Sequence, residues 1–352
     1  MSKKLNLQGE GYILKKKTFF IFLAICLMFT INVAYAEVLQ GPVWENTEVT
    51  NLGTFGDGST MVFGMNDLGQ VVGVATIDSA NIKSHPFLWE NGQLRDMADV
   101  AGEFSWFSDI NNKGQIVGTD RYSRVFLLEN GQMTDLGNLG TLIADPDAIN
   151  DNGQIVGEAK VSVGEGKTEY HAFLWDNGQV LDLGTLGGNY SHATDINNRG
   201  QIVGYSYMPD GQRHAFLWEN GQMSDLGTLG GSSSIANAIN DKGQIIGNAT
   251  MLNGKSIAFL RDNGETTVLD VPGSSSTRAS DINNLGQIIG TSNYNGNRVV
   301  LWENGQMRDL GSESGEYDIL HEINDQGQIT YDIMKIGTGN TTANSFLIKL
   351  LP

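Results

Sequence analysis

The chain has 352 residues, with 45 glycines, only 6 prolines and 40% apolar side chains, enough for a large core. Its formal charge of −18 argues against nucleic acid and anionic membrane surfaces as partners, because both need a basic surface. Abundant glycine with recurrent Asn-Gly pairs points to frequent tight turns and an all-β chain.

In chain order, the first feature is a leader. Lys15-Lys16-Lys17 precede the apolar run TFFIFLAICLMFTINV, and Ala34-Tyr35-Ala36 supplies a small-x-small cleavage site before Glu37. This pattern predicts a secretory signal peptide over residues 1–36, cut near Ala36. The remaining domain, 37–352, is then secreted, periplasmic or extracellular. An uncleaved membrane anchor is the alternative, but the run of 16 residues is short of the roughly 20 that span a bilayer. Cys26 is the sole cysteine and lies in this run, so the mature domain has no disulfide. Ile25 before it departs from a lipoprotein box, which wants a small residue there. The leader holds five Lys and one Glu, so its removal leaves a charge of −22. That acidity favours solubility and attracts cations or cationic partners.

The rest of the chain is periodic. An apolar residue followed by Asn-x-x-Gly-Gln-Ile-Val-Gly, or a close variant, begins at Met65, Ile110, Ile149, Ile196, Ile239, Ile282 and Ile323, at intervals of 39 to 47 residues. A second phrase, Phe-Leu-Trp or a relative, begins at Pro42, Phe87, Phe126, Phe173, Phe216, Phe259 and Val300, each 23 residues before the next Asn phrase. A further copy, Phe346-Leu347-Ile348, ends the chain. A period near 43 residues matches four-stranded propeller blades.

One repeat divides into four strands. Ala193–Asn197 is strand A, and Asn-Asn-Arg-Gly its turn. Gln201–Met208 is strand B, and a loop with Asp210-Gly211 follows. His214–Asn220 is strand C, and Asn220-Gly221 makes a two-residue hairpin needing positive φ at both positions. Gln222–Gly227 is strand D, and Thr228–Ala236 crosses to the next strand A. Length varies only in the B–C loop. The predicted fold is a seven-bladed β-propeller of 43-residue four-stranded repeats. Closure puts Thr47–Gly53 into the last blade as its D strand. Pro42–Asn46 and Phe346–Leu350 compete for the C slot of that blade, and the more apolar Phe346–Leu350 is expected to fill it.

The phrases HAFLW-x-NGQ, DLGTLGG and IN-x-x-GQIVG resemble those of the HAF-repeat family of bacterial extracellular proteins. The match runs from about Gly41 to the C-terminus and is best in the repeats holding His171 and His214. Phe126-Leu127-Leu128 and Val271-Pro272-Gly273 depart from it. The resemblance implies an exported, propeller-like repeat protein and no particular reaction. The Asn-x-x-Gly-Gln phrase is also weakly similar to RCC1 propeller repeats.

Most repeated residues read as packing. Trp44, Trp89, Trp175, Trp218 and Trp302 share one repeat position, between blades. Asp96, Asp135, Asp182, Asp225, Asp270 and Asp309 share another, suited to binding backbone amides at a turn. His85, His171 and His214 begin strand C on different blades and are too scattered for a metal site. Next to the Asn-phrase start a carboxylate alternates between two places, giving Asp109, Asp195 and Asp281 in every second repeat and Glu322 with Asp325 in the last. Interchangeable turn acceptors explain this. A ring of carboxylates holding calcium is the functional alternative, although no Asp-x-Asp-x-Asp-Gly loop supports it.

Nucleophile elbows, His-Glu-x-x-His, phosphate loops and the sialidase Ser-x-Asp-x-Gly-x-x-Trp box are missing. Function is therefore sought in residues that break the repeat. Glu103–Phe107 places three aromatics in a crossing on the face that carries the variable B–C loops. Phe104, Trp106 and Phe107, with Tyr190 and His192 at the matching crossing two repeats later, are the candidate ligand contacts, because aromatics with a polar tip suit sugars and peptides. The plain alternative is that Phe107 fills a small-residue slot and Trp106 covers it. The expected function is an exported, monomeric, non-catalytic binding or scaffold module meeting a glycan or protein at the B–C face. A hydrolase or lyase with an acidic site at the same mouth, and a purely structural repeat protein, are the alternatives. Histidine, arginine or tyrosine converging with two carboxylates would favour the enzyme.

Overall fold

The computed structural model describes residues 46–56, 58–78, 83–137, 143–294, 296–312, 317–336 and 341–351. The leader, Cys26 and Trp44 lie outside the described residues. The fold is all-β, with one single-turn helix, Ala98–Ala101, among the described residues.

The repeat phrases fold into four-stranded antiparallel sheets. The unit that starts with Thr60–Met65 continues through Val71–Asp78, Lys83–Glu90 and Gln93–Asp96. The next runs Trp106–Ile110, Ile116–Thr119, Val125–Glu129 and Gln132–Gly137, and the third Ile143–Ile149, Ile155–Gly164, Lys167–Asp176 and Gln179–Asp182. The fourth is Ser191–Ile196, Ile202–Tyr207, Arg213–Glu219 and Gln222–Gly227, and the fifth Ser233–Ile239, Ile245–Thr250, Ser256–Asp262 and Glu265–Leu269. These two join into one eight-stranded sheet through a parallel pairing of Arg213 with Ser233. The sixth is Thr277–Ile282, Ile288–Ser292, Arg298–Glu303 and Gln306–Ser312. The last unit takes Tyr317–Ile323, Gln328–Ile336 and Thr341–Leu350 from the C-terminus, and Thr47–Asn51 from the N-terminal side pairs with Thr341–Leu350. Phe346–Leu350 therefore occupies the C position, as expected.

Each conserved phrase has a local cause. Asn220 and Gly221 have φ of 53° and 80°, the type I′ geometry that a two-residue hairpin requires. In the A–B turn the Asn197 carboxamide oxygen accepts the amides of Arg199 and Gln201, and its NH2 group donates to the Asn240 carbonyl of the next unit at 3.0 Å. The same step runs from Asn66 to Asn111, Asn150, Asn197, Asn240, Asn283 and Asn324, and Asn324 donates back to the Asn66 carbonyl. The phrase glutamine ties the turn to the end of strand C, as Gln201 does with Glu219 at 2.7 Å.

The closing glycine of the phrase makes room for the strand C aromatic. A Cβ on Gly247 would lie 2.2 Å from the Ile235 carbonyl and 2.5 Å from the Phe259 ring. The last unit has Tyr331 there, fully buried. Its A–B register shift is wider, passing directly from the pair Leu320–Tyr331 to Ile323–Ile329.

The repeated aspartate at the end of strand D binds a turn amide in five units, as expected; Asp270 differs, because the residue two positions on is Pro272, which has no N–H to give. Asp182 accepts the Gly184 amide at 2.8 Å, and Asp225 that of Gly227 at 2.7 Å. Each also pairs with a cation-forming residue at the start of strand C: His85 with Asp96, Arg124 with Asp135, His171 with Asp182, His214 with Asp225, Lys255 with Asp270 and Arg298 with Asp309. The three repeat histidines thus sit in a slot that Arg or Lys fills elsewhere.

Candidate functional site

Strand A of each unit carries a β-bulge two residues before the Asn-phrase start. The bulged residues are Phe63, Ser108, Asp147, Thr194, Asn237 and Ser280, with His321 and Glu322 in the wider irregularity of the last unit. A bulged residue leaves the ladder and its side chain is re-aimed. At Phe63, Asp147, Thr194, Asn237 and Glu322 it reaches the next unit. Phe63 packs on Trp106 at 5.6 Å between ring centroids, Asp147 meets His192 at 2.6 Å, and Asn237 donates to the Ala279 carbonyl at 2.6 Å.

At the junction of the first and second units this contact is apolar. Trp106 is half-buried and joins Phe63, Met61, Val74, Ile319 and Ala343. Phe104 is exposed and has a φ of 64°, strained for a bulky side chain. Phe107 corrects the expectation that it contacts ligand. It is 0% exposed and packs edge-on against Phe126, because a residue paired with Gly118 on strand B points into the core.

At the junction of the third and fourth units the contact is polar and aromatic. His192 is 8% exposed. Its Nε2 faces Asp147 at 2.6 Å, and its Nδ1 faces the Tyr205 hydroxyl at 3.3 Å and Glu158 at 3.5 Å. The Tyr190 hydroxyl donates to Glu158. Tyr190 stacks on Tyr205 at 5.8 Å and also meets Tyr170 and Tyr207 at 6.2 and 5.6 Å. Burial, with the Glu158 carboxylate beside it, pushes the Tyr190 phenol far above its ordinary range. Burial pushes Tyr205 up to about 12, so both phenols remain neutral donors. His192 is thus a bridge between two carboxylates beneath the tyrosines rather than an exposed contact. Tyr190 stays half-buried at the rim. The structure brings Tyr190 and His192 together and leaves Phe104 and Trp106 two junctions away.

The sequence reading missed Tyr170, Tyr205, Tyr207, Asp147, Glu158, Lys160 and Arg213. A signal existed: four of the 10 tyrosines fall between Tyr170 and Tyr207, and the third unit has two ten-residue strands flanking its B–C turn.

The alternating carboxylates clamp main-chain amides. Asp109 accepts the amides of Ile110 and Ile149, Asp195 those of Ile196 and Ile239, and Asp281 those of Ile282 and Ile323, all within 2.9 Å. Glu322 accepts the Met65 amide at 2.6 Å. Each aspartate serves its own unit and the next, so the unit between needs no acid. At Gly64 a Cβ would lie 2.8 Å from both Cα and Oδ1 of Asp109. Burial, with the charges of Asp195 and Asp109 adding to it, pushes the Asp281 carboxyl up to about 7 against the pull of its two amides. Among the described residues no group of three or more His, Cys, Asp or Glu side chains is arranged to hold a metal ion.

No protein-family model and no curated protein matches the sequence. Solved structures do match the fold. The β-propeller domain of the Trilobed protease from Pyrococcus furiosus aligns with a TM-score of 0.57 at 14% identity, over 83% of this chain and 94% of that one. Pyrococcus horikoshii acylaminoacyl peptidase aligns with a TM-score of 0.57 at 14% identity over 82% of this chain, which spans 51% of the peptidase. The protein YCF48, solved with a D1 peptide bound, aligns with a TM-score of 0.54 at 12% identity, over 88% of this chain and 96% of that one. At these identities the likeness is one of fold.

Proposed function

We propose that the chain is an exported seven-bladed β-propeller that binds a glycan at the B–C end of the junction between its third and fourth units. Closure is supported by the amide circuit that returns from Asn324 to Asn66 and by the pairing of Thr47–Asn51 with Thr341–Leu350. The leader pattern and the HAF-like phrases support export. The observation that carries the binding role is the cluster of Tyr170, Tyr190, Tyr205 and Tyr207 over Glu158 and His192. Half-buried tyrosine rings supply faces for the C–H surface of a sugar, and the hydroxyls of Tyr170 and Tyr207 supply hydrogen bonds. The test is a glycan array with the mature protein, repeated with Tyr190→Ala. Loss of glycan binding in a variant with an unchanged melting temperature supports the reading, and unchanged binding overturns it.

A catalytic reading is favoured by one observation, the convergence of His192 with Asp147, Glu158 and two tyrosines. A hydrolase or lyase at this junction would release reducing ends or unsaturated product from the glycan it binds. Both His192 nitrogens already face acceptors within the protein, which leaves no free base aimed outward and makes binding the better reading.

A further inference from the structure

We infer that the glycan bound at this junction is acidic, carrying uronate carboxylates that Lys160 and Arg213 receive; this rests on the glycan-binding reading above. Two sheet faces meet here. The third unit presents Glu158, Lys160 and, opposite Lys160 in register, Tyr170. The fourth presents His192 opposite Tyr205, and Tyr207 opposite Arg213. The two acids of the junction, Asp147 and Glu158, face His192 within 2.6 and 3.5 Å, so they are engaged inside the protein. The two cations are placed differently. The Lys160 ammonium lies 5.7 Å from the Tyr170 ring centre, and the Arg213 guanidinium 5.2 Å from that of Tyr205.

In a chain of charge −18 most basic groups at strand ends find a carboxylate, as Arg124, Lys255 and Arg298 do. Lys160 and Arg213 lie over tyrosine rings instead, and among the described residues the Arg213 Nε, itself buried, has no hydrogen-bond partner. A guanidinium lying over a ring keeps its terminal N–H donors available for a carboxylate, and desolvation beside the ring strengthens that contact. Two such cations flanking an aromatic platform fit a sugar ring that stacks and bears a carboxylate at its edge. A neutral glycan would leave both charges unused.

The experiment compares polygalacturonate with its fully methyl-esterified form, which differs only in the carboxylate, and with a galacturonate oligomer and polyglutamate. Affinities are measured by calorimetry on the mature protein, Lys160→Gln/Arg213→Gln and Tyr190→Ala. The expected result is at least tenfold tighter binding of polygalacturonate and its oligomer than of the ester. The double charge variant loses that preference and keeps its melting temperature, and Arg213→Lys retains part of it. Equal binding of acid and ester overturns the inference and leaves glycan binding standing. Polyglutamate binding as tightly as polygalacturonate overturns it in favour of an acidic peptide. Binding of none of these, and of no neutral glycan, overturns both readings together.

Discussion

The carboxylate of Asp195 accepts the amide of Ile239, in the following unit, at 2.7 Å, while its other oxygen accepts the Ile196 amide at 2.7 Å. One side chain thus satisfies two buried strand ends. Asp195→Ala removes the acceptor for both amides. An unsatisfied buried amide costs about 1–3 kcal/mol, so the variant is expected to lose about 2–6 kcal/mol in chemical denaturation. Asp195→Asn keeps one acceptor and should lose about half as much. A loss under about 0.5 kcal/mol, the size of an ordinary surface change, would show that the clamp is not needed.

The same clamp sets a pH dependence through Asp281. Its carboxyl is pushed up from 3.8 to about 7 by burial and by the charges of Asp195 and Asp109. An acid raised in the folded state stabilises the fold fully below its unfolded value and loses that contribution as pH rises through the folded one. Stability is therefore expected to fall between pH 4 and pH 8, by at most about 4 kcal/mol from this group. Melting temperatures across that range check it, and a profile that rises toward pH 8 contradicts the assignment.

The A–B turns form a second circuit in which Asp67, Asn112, Asp151, Asn198, Asp241, Asn284 and Asp325 each donate an amide to the next side chain, and Asp325 donates to Asp67 at 2.8 Å. Acid and amide alternate until Asp325 meets Asp67, two acids in succession. Burial, and then the Asp67 charge, raise the Asp325 carboxyl. Asp325→Asn is expected to stabilise the protein at pH 8 by under about 1 kcal/mol, because the group is only half-buried and solvent partly screens the charge. The gain should shrink toward pH 4 as the carboxyl, raised above its ordinary range, takes up its proton. Equal gain at both pH values would remove the charge explanation.

Phe107 and Trp106 are neighbours in sequence with different burial. Phe107→Ala opens a cavity beside Phe126 and should cost about 3–5 kcal/mol. Trp106→Ala should cost less, since its ring is half-buried on Phe63, and should leave binding at the third junction unchanged. A cost for Trp106→Ala equal to that for Phe107→Ala would place both in the core.

The period, the strand phrases and the hairpins were legible because each is a local device. Asn-Gly needs positive φ, and Asn197 closes its own turn with Arg199 and Gln201. The alternation of Asp109, Asp195 and Asp281 was also visible, but its cause was not. It depends on which amide of the next unit each oxygen reaches, and that is fixed only when strand A of one unit lies against the next.

The sequence by itself determined an all-β chain of repeated four-stranded units, the place of the Asn-Gly hairpins and of the Asn-x-x-Gly turns, and the choice of Phe346–Leu350 for the last C strand. Tertiary structure alone decided the site. A bulge turns Asp147 out of its ladder toward His192, 45 residues away in sequence. The packing of two sheets gathers Tyr170, Tyr190, Tyr205 and Tyr207 from separate strands. Local propensity fixes what one strand does with its neighbours in sequence. Which side chains meet across a junction depends on the angle and register at which separate sheets pack, and no single segment encodes that.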